Sequence, residues 1–139
     1  MNEAKIRVFH TIIEDITNTL GSTNCESGGL LGSSSESIID AFYFDKGIKS
    51  SRNEYYPNID LMQNQIRKWE SAHISFKGII HSHTSYVGLS EKDVFMSRRL
   101  LRLNSFDSIL MPLYILEGHK LIWYEVSESD IIVKDCDIL

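Results

Sequence analysis

Apolar residues recur at three- and four-residue steps in three stretches of the chain, which predicts three helices. The first covers residues 3–20 and is followed by Gly21, a residue type that commonly ends helices. The second begins after Asn58, a residue type that caps helix N-termini, and the third opens with Ser90-Glu91-Lys92-Asp93. The apolar residues expected on the inner faces are Ile6, Phe9, Ile12, Ile13, Ile16 and Leu20 in the first helix, Ile59, Met62, Ile66 and Trp69 in the second, and Val94, Leu100, Leu101 and Leu103 in the third.

Short apolar runs bounded by turn residues predict strands between and after these helices. The order of helix, two strands, helix, strand, helix and further strands predicts a mixed α/β (α+β) fold, in which helices cover a mixed sheet. Residues 48–57 are polar, and we expect them to be largely irregular. The predicted strands cover residues 26–32, 38–44, 76–80, 108–116 and 121–126, with a short final strand at 131–133.

Length and charge limit the classes of function. The 139 residues suit one domain spanning 1–139. The net charge of -5 argues against nucleic acid or an anionic membrane as the main partner, because both select for clusters of lysine and arginine. No apolar run approaches the roughly 20 residues of a membrane span, and the N-terminal residues lack the apolar core of a signal peptide. We therefore expect a cytoplasmic protein in which Cys25 and Cys136 are reduced thiols.

The most informative segment is Gly78-Ile79-Ile80-His81-Ser82-His83, at the end of a predicted strand. Residues two apart on a strand point to the same face, so His81 and His83 can direct both imidazoles into one site. A catalytic zinc ion takes three protein ligands and keeps one position for water. Asp93 can complete the set if residues 84–89 fold back, so the sequence predicts a zinc site of His81, His83 and Asp93.

A zinc-activated water also needs a general base nearby to accept its proton. Glu26 is the candidate for this general acid/base, because it precedes a glycine-rich apolar strand and could project from the sheet end towards the site. Ser90 is the candidate for a hydrogen-bond donor to the developing oxyanion. Ser90-x-x-Asp93 is also typical of a helix capping box, and both roles can hold together because a helix N-terminus is a good place to fix a ligand.

The whole pattern resembles the motif of the JAMM (MPN+) zinc metalloproteases. It consists of Glu26 before Gly28-Gly29-Leu30-Leu31-Gly32, then His81-Ser82-His83, a loop, and Ser90-x-x-Asp93. Two departures from the family are visible: Thr84 stands where many members have proline, and six residues rather than seven separate the second histidine from the serine. The motif part of the resemblance extends over residues 26–93.

The resemblance implies a fold, a mechanism and a partner. The fold would be a curved mixed sheet between helices, related to the cytidine-deaminase architecture. The activity would be hydrolysis of a peptide or isopeptide bond after the C-terminal tail of a ubiquitin-like protein. By the same likeness, zinc is bound by His81, His83 and Asp93, Glu26 is the general acid/base, and Ser90 stabilises the oxyanion.

Two other functions stay open on the same scaffold. A zinc amidohydrolase that cuts a short peptide or a small amide needs the same activated water and polarised carbonyl. An inactive MPN-type interaction module would usually lack one or more ligands, whereas all five expected positions are occupied here. A zinc nucleoside deaminase is disfavoured, because the chain has neither His-x-Glu nor Pro-Cys-x-x-Cys. A zincin-type protease is disfavoured by the lack of His-Glu-x-x-His.

Overall fold

Three α-helices and eleven strands make up the part of the chain that the computed structural model describes, residues 5–35 and 37–139. The helices are α1 (His10–Thr19), α2 (Ile59–Ser71) and α3 (Glu91–Leu103), and a 3-10 turn (Leu20–Ser22) follows α1. The strands are β1 (Ile6–Val8), β2 (Gly28–Ser33), β3 (Ala41–Asp45), β4 (Lys49–Ser50), β5 (Tyr55–Tyr56), β6 (Ser75–His83), β7 (Ser108–Leu110), β8 (Leu113–Ile115), β9 (Lys120–Ser127), β10 (Ile131–Lys134) and β11 (Cys136–Ile138).

Seven strands form one curved mixed sheet in the order β10-β9-β7-β6-β2-β3, and β8 continues the path of β7 between β6 and β9. The β6–β7 and β6–β8 pairings are parallel, whereas the other pairings in this sheet are antiparallel. In the β2–β6 pair, Gly28 lies opposite His81. The predicted mixed sheet covered by helices is confirmed.

Side chains of successive strand residues alternate between two cores, one on each face of the sheet. In β6, Ile80 packs in the core under α1, whereas Ile79 packs in the core under α2 and α3. Leu31 and Leu30 of β2 divide in the same way. Since His81 and His83 share the parity of Ile79, this alternation places them on the face that α2 and α3 cover.

The predicted helix over residues 3–20 is wrong at its start, and residues 3 and 4 lie outside the described part of the chain. Ile6 and Val8 are buried and Arg7 between them is exposed, which is the two-residue period of a strand. They form β1, which pairs in parallel with β11 near the other end of the chain. The helix itself begins only at His10.

The far end of the chain also completes the start of α1. Phe9, the residue before the helix, offers no side-chain cap. Instead, the carbonyl oxygen of Leu139 accepts a hydrogen bond of 2.8 Å from the His10 backbone N–H and lies 2.9 Å from His10 Nδ1. One of the N–H groups that a helix start leaves unpaired is thereby satisfied.

Three smaller expectations also need correction. Gly21 does not end the helix in a left-handed conformation but lies within the 3-10 turn, where a Cβ atom would stand 2.6 Å from the Tyr114 hydroxyl. Leu103 is exposed because it lies to the side of the α3 face that carries the buried residues Asp93, Ser97, Leu100 and Leu101. The strand expected over 108–116 is interrupted at Pro112, which has no N–H to donate to a neighbouring strand.

Phe9 and Ile59, both expected on inner helix faces, are exposed, because Phe9 precedes α1 and Ile59 is the first residue of α2. Both Cys25 and Cys136 are free thiols. Among the described helices, none has the length and apolar character needed to cross a membrane.

Gly78 lies in the central strand β6 at a point where the neighbouring backbone leaves no room for a side chain. A Cβ atom there would lie 2.3 Å from the backbone oxygen of Leu110, in the neighbouring strand β7. We expect Gly78→Ala to lower the free energy of unfolding by about 3 kcal/mol, at the upper end of the overpacking range. The measurement is urea denaturation followed by circular dichroism.

Gly118→Ala is the matched control for this substitution. Gly118 has a left-handed φ of 84° but no atom within 4 Å of an added Cβ, so only a backbone cost of roughly 1–2 kcal/mol is expected. Equal losses for the two variants would contradict the proposed close approach of β6 and β7.

Candidate metal centre

Two elements bring the three predicted ligands together on one face of the sheet. His81 and His83 lie at the C-terminal end of β6, and Asp93 lies in the first turn of α3. Residues 84–89 fold back between them, as the sequence required. All three side chains are buried. Their ligand atoms lie close enough together to hold one metal ion.

The distances between the three ligand atoms fit a small tetrahedral cation. His81 Nε2 and His83 Nε2 are 3.0 Å apart, and Asp93 Oδ2 lies 3.0 Å from the first and 3.2 Å from the second. Ligands held at about 2.0–2.1 Å from a tetrahedral zinc ion are themselves separated by about 3.3–3.4 Å. The observed triangle therefore needs only a small expansion to accept zinc.

The orientation of the His83 ring also fits metal binding. His83 Nδ1 lies 3.2 Å from the carbonyl oxygen of Tyr86, within the loop that follows β6. A proton on Nδ1 satisfies this carbonyl and leaves the lone pair of Nε2 directed at the centre of the triangle, as in many metal sites. His81 Nδ1 is buried and finds no hydrogen-bond partner among the described residues.

The charge of the cluster is set by Asp93. Burial raises the pKa of the Asp93 carboxyl, but hydrogen bonds from His81, His83 and the Ser90 backbone outweigh burial and hold this pKa well below its usual range. Burial alone would lower the pKa of His83, but its hydrogen bond and charge interaction with Asp93 raise it overall. An ionised carboxylate beside two imidazole nitrogens offers a cation one anionic oxygen and two nitrogen ligands.

Asp93 and Ser90 form the capping box that the sequence predicted. Ser90 Oγ accepts a hydrogen bond of 3.1 Å from the Asp93 N–H, and Asp93 Oδ2 accepts one of 2.9 Å from the Ser90 N–H. The Oδ2 atom that faces the histidines is thus fixed by the helix start itself. Because Ser90 Oγ acts as an acceptor in the cap, its own hydroxyl proton remains available to a ligand in the adjoining cleft.

Glu26 lies on the other side of the same cleft, directly before β2. Its carboxylate is half-buried, and Oε2 accepts a hydrogen bond of 3.3 Å from the Thr84 backbone N–H. Burial raises the pKa of Glu26 above its usual value, although His83 and the Thr84 N–H act in the opposite direction. A carboxylate whose pKa is raised in this way is better matched to proton transfer near neutral pH.

Ser82, which sequence reasoning did not select, connects Glu26 to the histidines. It points to the opposite face from its neighbours, and its Oγ accepts a buried hydrogen bond of 2.9 Å from the Ser27 backbone N–H. The Ser82 N–H in turn donates to the Ser27 carbonyl at 2.8 Å. Ser82, between the two histidines, is therefore hydrogen-bonded to Ser27, the residue after Glu26, through both its hydroxyl and its backbone N–H.

Tyr55 forms a second unpredicted part of the site, in the segment that was expected to be irregular. Its hydroxyl donates a buried hydrogen bond of 2.5 Å to Asp45 Oδ2, which also accepts from the Asn58 N–H at 3.1 Å. The Tyr55 ring lies against Gly28, where a Cβ atom would come within 2.7 Å of it. Tyr55 thus closes one wall of the cleft beside the Gly28–His81 pair.

The cleft has a volume of about 450 Å³ and contains all five predicted site residues. Ile79, Met96 and Met111 give it an apolar floor next to the three ligands. Lys92 stands on the opposite side, where its Nζ donates to the Tyr55 carbonyl at 3.3 Å and lies 4.0 Å from the centre of the Tyr56 ring. The cleft thus combines a polar end, which carries the possible metal ligands, with an apolar surface, as is common in ligand-binding pockets.

Comparison with solved structures identifies the fold. The solution structure of protein DSY2949 from Desulfitobacterium hafniense matches 96% of this chain and 92% of its own, with a TM-score of 0.74 and 13% sequence identity. The crystal structure of AF2198, a JAB1/MPN domain protein from Archaeoglobus fulgidus, matches 97% of this chain and 100% of its own, with a TM-score of 0.56 and 15% identity. The chain therefore has an MPN-like fold.

Sequence comparison adds no family assignment. No protein-family model matches the chain, and no curated protein matches it in sequence. The fold is therefore shared with proteins whose sequences differ at most positions. Because one fold can support many functions, only the site itself can indicate the function of this chain.

The Ser82–Ser27 contact yields a test of how the site is held together. Ser82→Ala leaves the buried Ser27 N–H without its acceptor, so we expect a loss of about 1–3 kcal/mol in the free energy of unfolding. Metal affinity should also fall, by about 10- to 100-fold, as for other groups that orient metal ligands. Chemical denaturation and competition with a zinc-binding dye measure the two effects.

Ser27→Ala is the control, since the Ser27 hydroxyl is buried and has no hydrogen-bond partner among the described residues. Its removal should leave stability unchanged or raise it slightly. A Ser82→Ala variant as stable and as metal-competent as Ser27→Ala would show that the contact does not organise the site.

Proposed function

We propose that this chain is a zinc-dependent hydrolase of the JAMM type. The observation that carries the proposal is the buried cluster of His81, His83 and Asp93, with Glu26 and Ser90 lining the same cleft. These are the five residues that the sequence motif selects, and they come from three separate segments of the chain. Their meeting favours a catalytic site over an inactive MPN-type module, which would usually lack some of them.

The donor set fits one zinc ion per chain. Two imidazole nitrogens and one carboxylate oxygen are typical zinc ligands, and three protein ligands beside a cleft leave a fourth position for water. When bound, zinc lowers the pKa of a coordinated water and polarises the substrate carbonyl. His81, His83 and Asp93 would hold the ion, and the capping box of Asp93 would keep its ligand oxygen in place.

Glu26 and Ser90 divide the remaining chemistry between them. Glu26 accepts a proton from the attacking water and returns it to the nitrogen that leaves when the amide C–N bond breaks. Ser90 donates a hydrogen bond from its hydroxyl to the oxygen on which negative charge develops. The apolar floor of the cleft holds the substrate beside these groups and excludes bulk water.

The proposed substrate is a peptide or isopeptide bond that follows the C-terminal tail of a ubiquitin-like protein in the cytoplasm. This assignment is supported by the motif's resemblance to the JAMM metalloproteases and by the MPN-like fold. We expect neither nucleic acid nor a membrane as a partner, in keeping with the net charge of -5.

A small peptide or amide is the second candidate substrate, and one observation favours it. A cleft of about 450 Å³ lies within the range of about 300–1,000 Å³ found for small-molecule pockets. A short substrate would fill such a cleft without contacts to a larger folded partner. The chemistry of Glu26, Ser90 and the metal ligands would be the same.

The first experiment is metal analysis and cleavage assays on the wild type and Glu26→Gln. Both proteins should bind one zinc per chain, because Glu26 is not a ligand in the proposal. Cleavage should occur with the wild type and fall by about 10²- to 10⁴-fold in Glu26→Gln, the usual contribution of a general acid/base. The probes are a ubiquitin-like protein fused to a C-terminal reporter and a short peptide amide. Removing zinc with a chelator should abolish cleavage, and adding zinc should restore it.

The outcomes separate the candidates. Cleavage of the fusion but not of the short amide would support the ubiquitin-like substrate, and the reverse would favour the small amide. A folded wild-type chain that binds no zinc would contradict the metal centre and favour an interaction module.

A second prediction separates the two roles of Ser90. Glycine is nearly as good an N-cap as serine, so Ser90→Gly should lower the free energy of unfolding by only about a few tenths of a kcal/mol. Without the hydroxyl donor, kcat should fall by about 10²- to 10³-fold. Ser90→Thr keeps both the cap and the donor and is the matched control. A Ser90→Gly enzyme with wild-type kcat would restrict Ser90 to capping.

A further inference from the structure

Thr84 follows the second histidine directly and contacts Glu26 through its backbone. Its N–H donates a hydrogen bond of 3.3 Å to Glu26 Oε2, between residues 58 positions apart in the chain. Its hydroxyl donates a second hydrogen bond to the carbonyl oxygen of Arg52. The backbone N–H of Glu26 donates to the carbonyl of Ser51 at 2.9 Å. The Glu26 carboxylate therefore contacts Thr84 directly, and the Glu26 backbone N–H is linked to Thr84 through residues 51 and 52.

A glutamate in this position needs such support. Its side chain has three rotatable bonds and is only half-buried, so packing alone does not fix the carboxylate. A hydrogen bond between an N–H and an ionised carboxylate is stronger than one between neutral groups. Because the Thr84 N–H belongs to the peptide unit that joins it to His83, it holds the carboxylate at a fixed offset from a metal ligand.

We propose that Thr84 is a positioning residue for Glu26 in the hydrolysis proposed above, on which this inference rests. Its backbone N–H directs the carboxylate. Its hydroxyl holds the 51–54 segment, a turn in which the Ser51 N–H donates to the Glu54 carbonyl at 2.8 Å, and this segment fixes the Glu26 backbone. Proline at position 84 has no N–H and no hydroxyl, so it could make neither contact. The threonine is therefore matched to the way in which this chain holds its general base.

The contact can be measured without any catalytic assay, by amide hydrogen exchange followed by NMR. In Glu26→Ala the Thr84 N–H loses its acceptor, and its exchange should accelerate by about 10-fold or more. Glu26→Gln keeps an acceptor oxygen and should retain most of the protection. The Leu116 N–H, which donates to the His83 carbonyl at 2.9 Å, is the local control and should not change in either variant. Equal Thr84 exchange in wild type and Glu26→Ala would overturn the inference.

The catalytic part is tested with three substitutions on whichever of the two probes the wild type cleaves. Thr84→Ser keeps both hydrogen bonds and should match the wild type. Thr84→Val loses only the hydroxyl and should lower kcat a few-fold, whereas Thr84→Pro loses the N–H as well and should lower kcat by about 10- to 100-fold. Zinc content should remain at the wild-type value throughout, because the three ligands do not change, and KM should change less than kcat, although Thr84 also lines the cleft.

The results distinguish this inference from the proposed function. The positioning role would be overturned if Thr84→Pro had the same kcat as Thr84→Val. It would also be overturned if Thr84→Pro raised KM and left kcat unchanged. Neither result would contradict the proposed hydrolase. A protected Thr84 amide in a zinc-loaded chain that cleaves neither probe would contradict the hydrolase. The contact would then be purely structural, and the positioning role would fall with the activity.

Discussion

The antiparallel pairing of β2 with β6 sets Gly28 opposite His81, and this register brings Glu26 to the end of the sheet that carries the two histidines. A shift by one residue would turn His81 and His83 to the opposite face of the sheet, away from Asp93. Two kinds of contact prevent such a shift. Leu30 and Leu31 pack into different cores, so a one-residue shift would move each side chain to the opposite face of the sheet and out of its own core. Ser82 is bonded to Ser27 through both backbone and side chain.

The docking of α3 beside β6 explains why polar groups can be buried next to the core. A carboxylate taken out of water is costly unless it is paired, and Asp93 is paired with two imidazoles and a backbone N–H. The imidazoles come from the strand and the N–H from the start of α3, so the helix and the sheet must dock in one arrangement. A positive ion in the centre of the triangle would reduce the remaining repulsion between the three electron-rich atoms. Burial and capping thus favour the same geometry, which is also the one in which the three side chains could hold a metal ion.

The sequence predicts those parts of this arrangement that depend on short local patterns. The period of two in β6 placed His81 and His83 together, and the capping signature placed Asp93 at a helix start. The 3-10 turn at Gly21, the β1–β11 pair and the contacts of Ser82, Tyr55 and Thr84 depend on residues far apart in the chain. Ile6 fits a helix face through its three-residue step to Phe9 and a strand through its two-residue step to Val8, and only the partner β11 decides between them. Such partners cannot be inferred from a single segment.

The two solved structures with this fold share only 13% and 15% identity with the chain, so the fold alone does not define an activity. In this chain, hydrogen bonds from neighbouring residues hold three of the five polar site residues in place. Glu26 is held by Thr84 and the 51–54 segment, His83 by the Tyr86 carbonyl, and Asp93 by Ser90. Each of these supports uses a backbone group, which persists when side chains diverge. A site organised mainly by backbone hydrogen bonds can therefore keep its geometry while the surrounding sequence changes almost completely.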